Sequence, residues 1–220
     1  MESYQRYAVY YAPRAGAFAD RAQEWLTGAA KLPGLEAAGQ DLTSDPRRYG
    51  FHGTLRAPFR PDEGVHGGAI ATHVAALAAS LAPVRCDGLR LADLDGFLAL
   101  VPVGGATGLL EFAARVVEET NVLRAPLSEA DIARRRPDSL TPRQRALLEV
   151  WGYPYVMEEF QFHLTLTNRL SDALRGPAEV ALAAWFAPVL PAPFVIEDLC
   201  LFGEDVAGQF HLLDRYALRG

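Results

Sequence analysis

The chain has 220 residues, 50% of them hydrophobic and 22% charged, with a formal net charge of −6. That composition excludes a disordered tail, a collagen-like fibre and a disulfide-stapled mini-protein, and the length can bury a substantial core. The acidic balance argues against a long nucleic acid as partner. The longest apolar stretch, Val180 to Leu190, is 11 residues interrupted by Pro188, short of the roughly 20 that a spanning helix needs.

In chain order, Tyr7 to Ala12 is a short aromatic and β-branched run ended by Pro13, which predicts a strand. Phe18 to Ala30 has helical spacing (Phe18, Ala22, Trp25, Leu26, Ala29) and stops at Pro33-Gly34. Asp45-Pro46 predicts a turn before a second strand, Gly50 to Pro58, and Gly68 to Leu81 an alanine-rich helix. Strands over Val84 to Leu94 and Phe97 to Val103 flank Asp95-Gly96, a hairpin turn signal. A helix over Leu109 to Leu123 follows. Residues 125 to 142, with Pro126, Pro137 and Pro142, predict a loop and short helix. Next come a helix from Pro142 to Val150, a long strand from Glu158 to Asn168, and a helix from Ala178 to Phe186. Phe194 to Phe202 and Gln209 to Tyr216 predict paired terminal strands. Interleaved strands and helices in both halves favour layered α+β or α/β packing.

One pattern occurs twice. Phe51-His52-Gly53-Thr54-Leu55 and Phe162-His163-Leu164-Thr165-Leu166 both read Phe-His-x-Thr-Leu. Both fall in predicted strands, where residues two apart share a face, so each His points the same way as its Thr. In the second copy Gln161, His163, Thr165 and Thr167 form a polar face opposite Phe160, Phe162, Leu164 and Leu166. From the composition, His-x-[Ser/Thr]-hydrophobic is expected by chance roughly 0.2 times, so two copies point to an internal duplication with facing motifs.

These paired motifs resemble the 2H phosphoesterase superfamily, which includes LigT-like RNA ligases and cyclic phosphodiesterases. The segments Tyr49 to Phe59 and Trp151 to Val156 further resemble a bacterial branch encoded beside phosphonate-degradation genes. The resemblance implies an α+β fold of two pseudo-symmetric lobes, each an antiparallel sheet with helices outside, around a cleft lined by both histidines. Residues 1–220 would then form one bilobal domain, with its motifs near 51–55 and 162–166. Gly53 stands where a bulkier residue is common, a change expected to be harmless because that position faces away from the cleft.

The residue types suit a cyclic phosphodiester. Two imidazoles titrating near neutrality can divide acid and base roles across one phosphorus, although the sequence leaves open which takes which. Thr54 and Thr165 can donate hydrogen bonds to the non-bridging oxygens. Arg56, on the strand face of His52 and Thr54, is a candidate phosphate ligand, and Tyr153 and Tyr155 are candidates for stacking a base. Of the 21 cationic residues 20 are arginine, so any bound anion meets guanidinium forks. Arg134-Arg135-Arg136 is either a solvated helix face or a phosphate-gripping rim.

Neither motif strand offers a third metal ligand, so no metal and no cofactor is expected. Gly104 to Gly108 lacks the lysine and spacing of a nucleotide loop and predicts a turn with Thr107 as helix cap. His66, His73 and His211 lack a motif. Cys86 and Cys200 predict buried free thiols, and with no signal-peptide pattern at the N-terminus the expectation is cytoplasmic. The expected function is metal-independent hydrolysis of a cyclic phosphate on a nucleotide or sugar phosphate, a small phosphorylated substrate, with no membrane partner. The alternatives are an RNA-end 2',3'-cyclic phosphodiesterase or 2'-5' ligase, and a non-catalytic binder of a phosphorylated metabolite.

Overall fold

The computed structural model describes residues 4–35 and 41–220; the first three residues of the N-terminal segment just discussed lie outside them. Nine strands are described: β1 (Arg6–Tyr11), β2 (Gly53–Phe59), β3 (Val84–Cys86), β4 (Gly88–Leu94), β5 (Phe97–Val103), β6 (Leu164–Thr165), β7 (Phe194–Ile196), β8 (Asp198–Glu204) and β9 (Phe210–Ala217). Seven form one sheet in the order β4-β5-β6-β2-β1-β8-β9, with β3 and β7 pairing separately. Every pairing is antiparallel. The helices are α1 (Ala17–Leu26), α2 (Ser44–Tyr49), α3 (Gly67–Ser80), α4 (Ala106–Thr120), α5 (Glu129–Arg134), α6 (Pro142–Trp151) and α7 (Asp172–Phe186). The fold is α+β, as the resemblance implies. The strands of the two halves interleave in one sheet, in which β2 meets β6 through the shortest ladder, Gly53 against Leu164.

The two faces of the sheet differ because strand residues alternate. Tyr7, Val9 and Tyr11 of β1 point into the main core, where Leu26, Ile70, Phe112, Leu182 and Phe186 from the helices meet Leu55, Phe162, Leu164 and Leu166. Ala8 and Tyr10 point to the other face, which carries only a small cluster with Cys200, Phe202 and Phe210. Helices α1, α3, α4 and α7 thus cover one side, and the polar side of both motifs lies on the other, flanked by α2 and α5. No helix among the described residues is long and apolar enough to cross a membrane.

Most departures from the sequence reading are local. Asp45-Pro46 lies in α2, not a turn, with Pro46 in its first turn where a missing N–H costs nothing. The long strand over Glu158 to Asn168 shrinks to β6, because Met157–Glu159 closes a 3₁₀ turn first. The strand over Val84 to Leu94 divides at Asp87 into β3 and β4. Helix α7 starts before Pro177, tolerating it near the N-terminal end. Thr107 is inside α4 and does not cap it; Gly105, at φ 65, holds the cap position that a side chain would strain. The Asp95-Gly96 turn joins β4 to β5, with φ 52 and 98 as a tight hairpin requires. Cys86 and Cys200 are buried and free.

Candidate functional site

The chain leaves α2 through Gly50, whose φ of 73 lies in the left-handed region that favours glycine. This turn aims the Gly50 carbonyl at His52 Nδ1, 2.9 Å away. A carbonyl only accepts, so the neutral ring carries its proton on Nδ1 and leaves Nε2 bare. Thr54 Oγ1 lies 3.3 Å from that Nε2 and donates to it. Phe51 anchors the segment by packing on Phe18 and Phe186. His163 repeats the arrangement, its Nδ1 donating to the Gln161 carbonyl at 2.8 Å.

The pairing of Gly53 with Leu164 sets the relation between the motifs. In an antiparallel register, the neighbours on either side then oppose one another: His52 faces Thr165, and Thr54 faces His163. Each histidine therefore lies across the strands from the other copy's threonine, with all four on one face. That reciprocity follows from a register that pairs the central residues of the two copies.

His52, Thr54 and Thr165 line a cleft of about 360 Å³ together with Tyr10, Tyr49 and Tyr153. The Tyr10 ring packs against His52 with centroids 4.1 Å apart, and Phe97 packs near His163 at 5.7 Å. Removal from water holds His52 down to about 4, against the hydrogen bond that it donates to the Gly50 carbonyl, and the His163 charge lowers it further. His163 is lowered for the same reason, burial. Tyr10 is pushed well up by burial, so its hydroxyl stays protonated.

The site residues expected from sequence divide. His52, Thr54, His163 and Thr165 share one face, but the cleft is lined by His52, Thr54, Thr165 and Tyr153 and not, as expected, by both histidines; His163 lies beyond its wall, against Phe97. Tyr155 does not line it; it is 47% exposed and touches Tyr153 edge-on. Arg56 is not beside His52 either. Val9 pairs with Arg56 and Tyr10 with Thr54, so β2 carries an extra residue there, and this bulge turns Arg56 off the motif face. The side chain is 1% exposed and donates to the Trp151 carbonyl and to Asn121 Oδ1.

Sequence reasoning missed Tyr10, Tyr49, Arg6 and Arg48. The alternation of β1 carries the signal for two of them, since Arg6 and Tyr10 share a face. Arg6 and Arg48 are both occupied by Glu204. Arg134 and Arg135 line the cleft at its rim, Arg134 with its side chain still half exposed. Arg134 is paired with Asp131, and Arg135 lies over the Tyr153 ring at 4.7 Å. Among the described residues no group of three or more His, Cys, Asp and Glu side chains could hold a metal ion.

Gly53 corrects a further expectation. A β-carbon there would stand 2.3 Å from Phe162 Cζ, so the position faces away from the cleft but has no room for a larger residue.

An antiparallel α+β sheet with two crosswise His-x-Thr copies on its open face is the fold that the resemblance to 2H phosphoesterases implies. The chain belongs to the family described as "Protein of unknown function (DUF1045)", which matches residues 54–211. It is 36% identical over 225 residues to a protein of Janthinobacterium sp. (strain Marseille) named ribose 1,5-bisphosphate phosphokinase PhnN, covering 94% of this chain and 49% of that protein. A protein of the same name from Laribacter hongkongensis (strain HLHK9) is 38% identical over 219 residues, covering 96% of this chain and 51% of that one. The chain thus spans about half the length of these relatives. Among solved structures, TT0787 of Thermus thermophilus superposes over 98% of both chains with a TM-score of 0.51 and 16% identity. Apo E. coli LigT superposes over the full length of both at 0.48 and 16%.

Proposed function

We propose that the protein is a metal-independent phosphoesterase that opens a cyclic phosphodiester on a nucleotide or sugar phosphate. The observation that carries this reading is the crosswise quartet, because two proton-transfer groups facing two hydroxyl donors suit in-line displacement at one phosphorus. His52, whose bare Nε2 is kept neutral by its surroundings, removes a proton from the attacking water as the new P–O bond forms. His163, which burial lowers less far than His52, is the ring that carries the proton when the pair holds one, and it gives that proton from Nε2 to the departing sugar oxygen as the ring P–O bond breaks. The product is a phosphomonoester with a free hydroxyl, and the two histidines have exchanged one proton. Thr54 and Thr165 turn their hydroxyls to the non-bridging oxygens, and Arg135 supplies cationic charge at the rim.

Two considerations favour a ribosyl cyclic phosphate within phosphonate metabolism. The sequence resembles the phosphonate-associated branch, and the relatives that this chain matches over half their length are named for an enzyme acting on ribose 1,5-bisphosphate. Opening a cyclic phosphate on ribose gives a ribose phosphate, the class of compound that such a kinase takes. The test is a panel of cyclic phosphates followed by phosphorus NMR. Conversion of a ribose or mononucleoside cyclic phosphate to its monoester is the expected result. Binding without conversion across the panel would overturn the enzyme reading in favour of a metabolite binder.

A further inference from the structure

Beside the cleft lies a smaller hollow of about 30 Å³ with an arginine-rich wall. It shares Arg6, Ala57, Pro58, Arg134, Arg135 and Tyr153 with the cleft, so the two adjoin. At its back are Arg56 and Arg124. Arg56 Nη2 and Arg124 Nε both donate to the single oxygen Asn121 Oδ1, at 3.2 and 3.3 Å. Their remaining partners are backbone carbonyls: Trp151 for Arg56, and Ala125 and Val150 for Arg124. Arg56 Nε is buried and has no partner. The carboxylate on the wall, Asp131, is already held by Arg60 and Arg134, and Asp62 acts on Arg124 from outside the hollow.

A buried guanidinium with only neutral partners is costly, because the charge has left water without gaining a counter-charge. The half-buried Arg124 on the same amide oxygen adds a like charge. Burial, with the nearby Arg124 charge, brings Arg56 down to about 9.

We infer that this hollow is a second anion subsite, in which Arg56 and Arg124 take a non-reacting phosphate of the same substrate while the histidine pair works on the cyclic one. This rests on the cyclic-phosphodiester reading above. The hollow is too small for a sugar but suits the oxygens of one phosphate, with the exposed Arg134 side chain able to yield. The hollow adjoins the cleft through shared walls, so the substrate class is a sugar phosphate bearing a cyclic phosphodiester and a separate phosphomonoester.

The first test is calorimetric titration with inorganic phosphate, which needs no turnover. Wild type is expected to bind two phosphates, and Arg124→Gln and Arg56→Gln one each. Near-ultraviolet circular dichroism checks folding; should Arg56→Gln fail to fold, the half-buried Arg124 decides. A single phosphate in wild type, or two in the folded variants, overturns the subsite. The second test compares kcat/KM for two pentose cyclic phosphates that differ only in the second phosphomonoester. The doubly phosphorylated one should be favoured roughly 10–100-fold, the worth of a charge-assisted hydrogen bond, and that ratio should collapse in Arg124→Gln. Equal turnover of both substrates by wild type overturns the subsite and leaves the hydrolase reading standing. No turnover of either, with two phosphates bound, overturns the hydrolase reading and leaves the subsite.

Discussion

The ring of Phe162 occupies the space that any side chain on Gly53 would need: a β-carbon there would lie 2.3 Å from Phe162 Cζ. Gly53 belongs to the first motif and Phe162 to the second, and the pairing of Gly53 with Leu164 is the whole ladder between β2 and β6. The contact therefore fixes how closely the two His-x-Thr copies approach. Gly53→Ala should cost about 1–3 kcal/mol through overpacking, read as a lower urea midpoint. Turnover should fall as well, since Phe162 is bonded to His163. Trimming the ring in Gly53→Ala/Phe162→Leu should recover part of both. An unchanged midpoint in the single variant would show that the strands separate freely.

The two histidines should be individually indispensable to turnover. Replacing His52 or His163 with Ala should each reduce kcat by about 10²–10⁴, the usual worth of a general acid or base. Both rings lie on the open face of the sheet, so circular dichroism should show an intact fold. Near wild-type turnover in either variant ends the two-histidine mechanism.

Chelation should leave the reaction unchanged. Acid–base work by imidazole needs no Lewis acid, so turnover after dialysis against EDTA should equal that before it. Lost activity that returns with a divalent cation would replace the histidine pair by a metal-bound nucleophile.

Protonation gives a signed test of His52. Its value in the folded protein is about 4, against 6.5 for a free imidazole, so above pH 6.5 the ring is neutral folded or unfolded. As pH falls from 6.5 towards 4 the unfolded chain takes a proton that the folded one resists. Stability attributable to this group is therefore lost across that window, by up to roughly 3 kcal/mol. His52→Gln should lower Tm less than wild type does between pH 7 and pH 4.5. For catalysis, the acid limb of kcat/KM should lie well below 6.5. Tyr10→Ala, which opens the ring to water, should move that limb upward. A wild-type acid limb near 6.5 would contradict the burial of His52.

What the sequence carried well was anything with a period or a named turn. Helices α3 and α4, the Asp95-Gly96 hairpin and the alternation of Gln161 to Leu166 all follow from local spacing. What it hid depended on contacts distant in the chain. Arg56 shares the parity of His52 and Thr54, and only the β1–β2 bulge, a property of pairing, turns it away. Gly53 looked free because its restriction comes from a ring 109 positions later in the chain. Tyr10 sits in a strand of similar aromatic residues, where alternation gives its face but not the histidine that it meets. The reciprocal opposition of His52 to Thr165 needed the register of β2 on β6, which no single segment encodes.

Substrate size can be decided by salt. The net charge of −6 and a cleft of about 360 Å³ suit a nucleotide or sugar phosphate more than a long polyanion. Of the cleft arginines, Arg6 and Arg48 are engaged by Glu204 and Arg134 by Asp131, which leaves few cations to follow a nucleic-acid backbone. A protein that displaces counterions from several phosphates loses affinity steeply with salt, at a slope of about −0.7 per phosphate for single strands. Few engaged phosphates mean a shallow slope. kcat/KM for a ribose or mononucleoside cyclic phosphate should therefore exceed that for an oligonucleotide ending in a cyclic phosphate, and should change little between roughly 50 and 200 mM salt, the range over which polyanion binding collapses. Measuring both substrates across that range separates the readings. An oligonucleotide preference with a steep slope would assign the protein to RNA-end processing, and the arginines of the rim would then be contacts to a chain of phosphates.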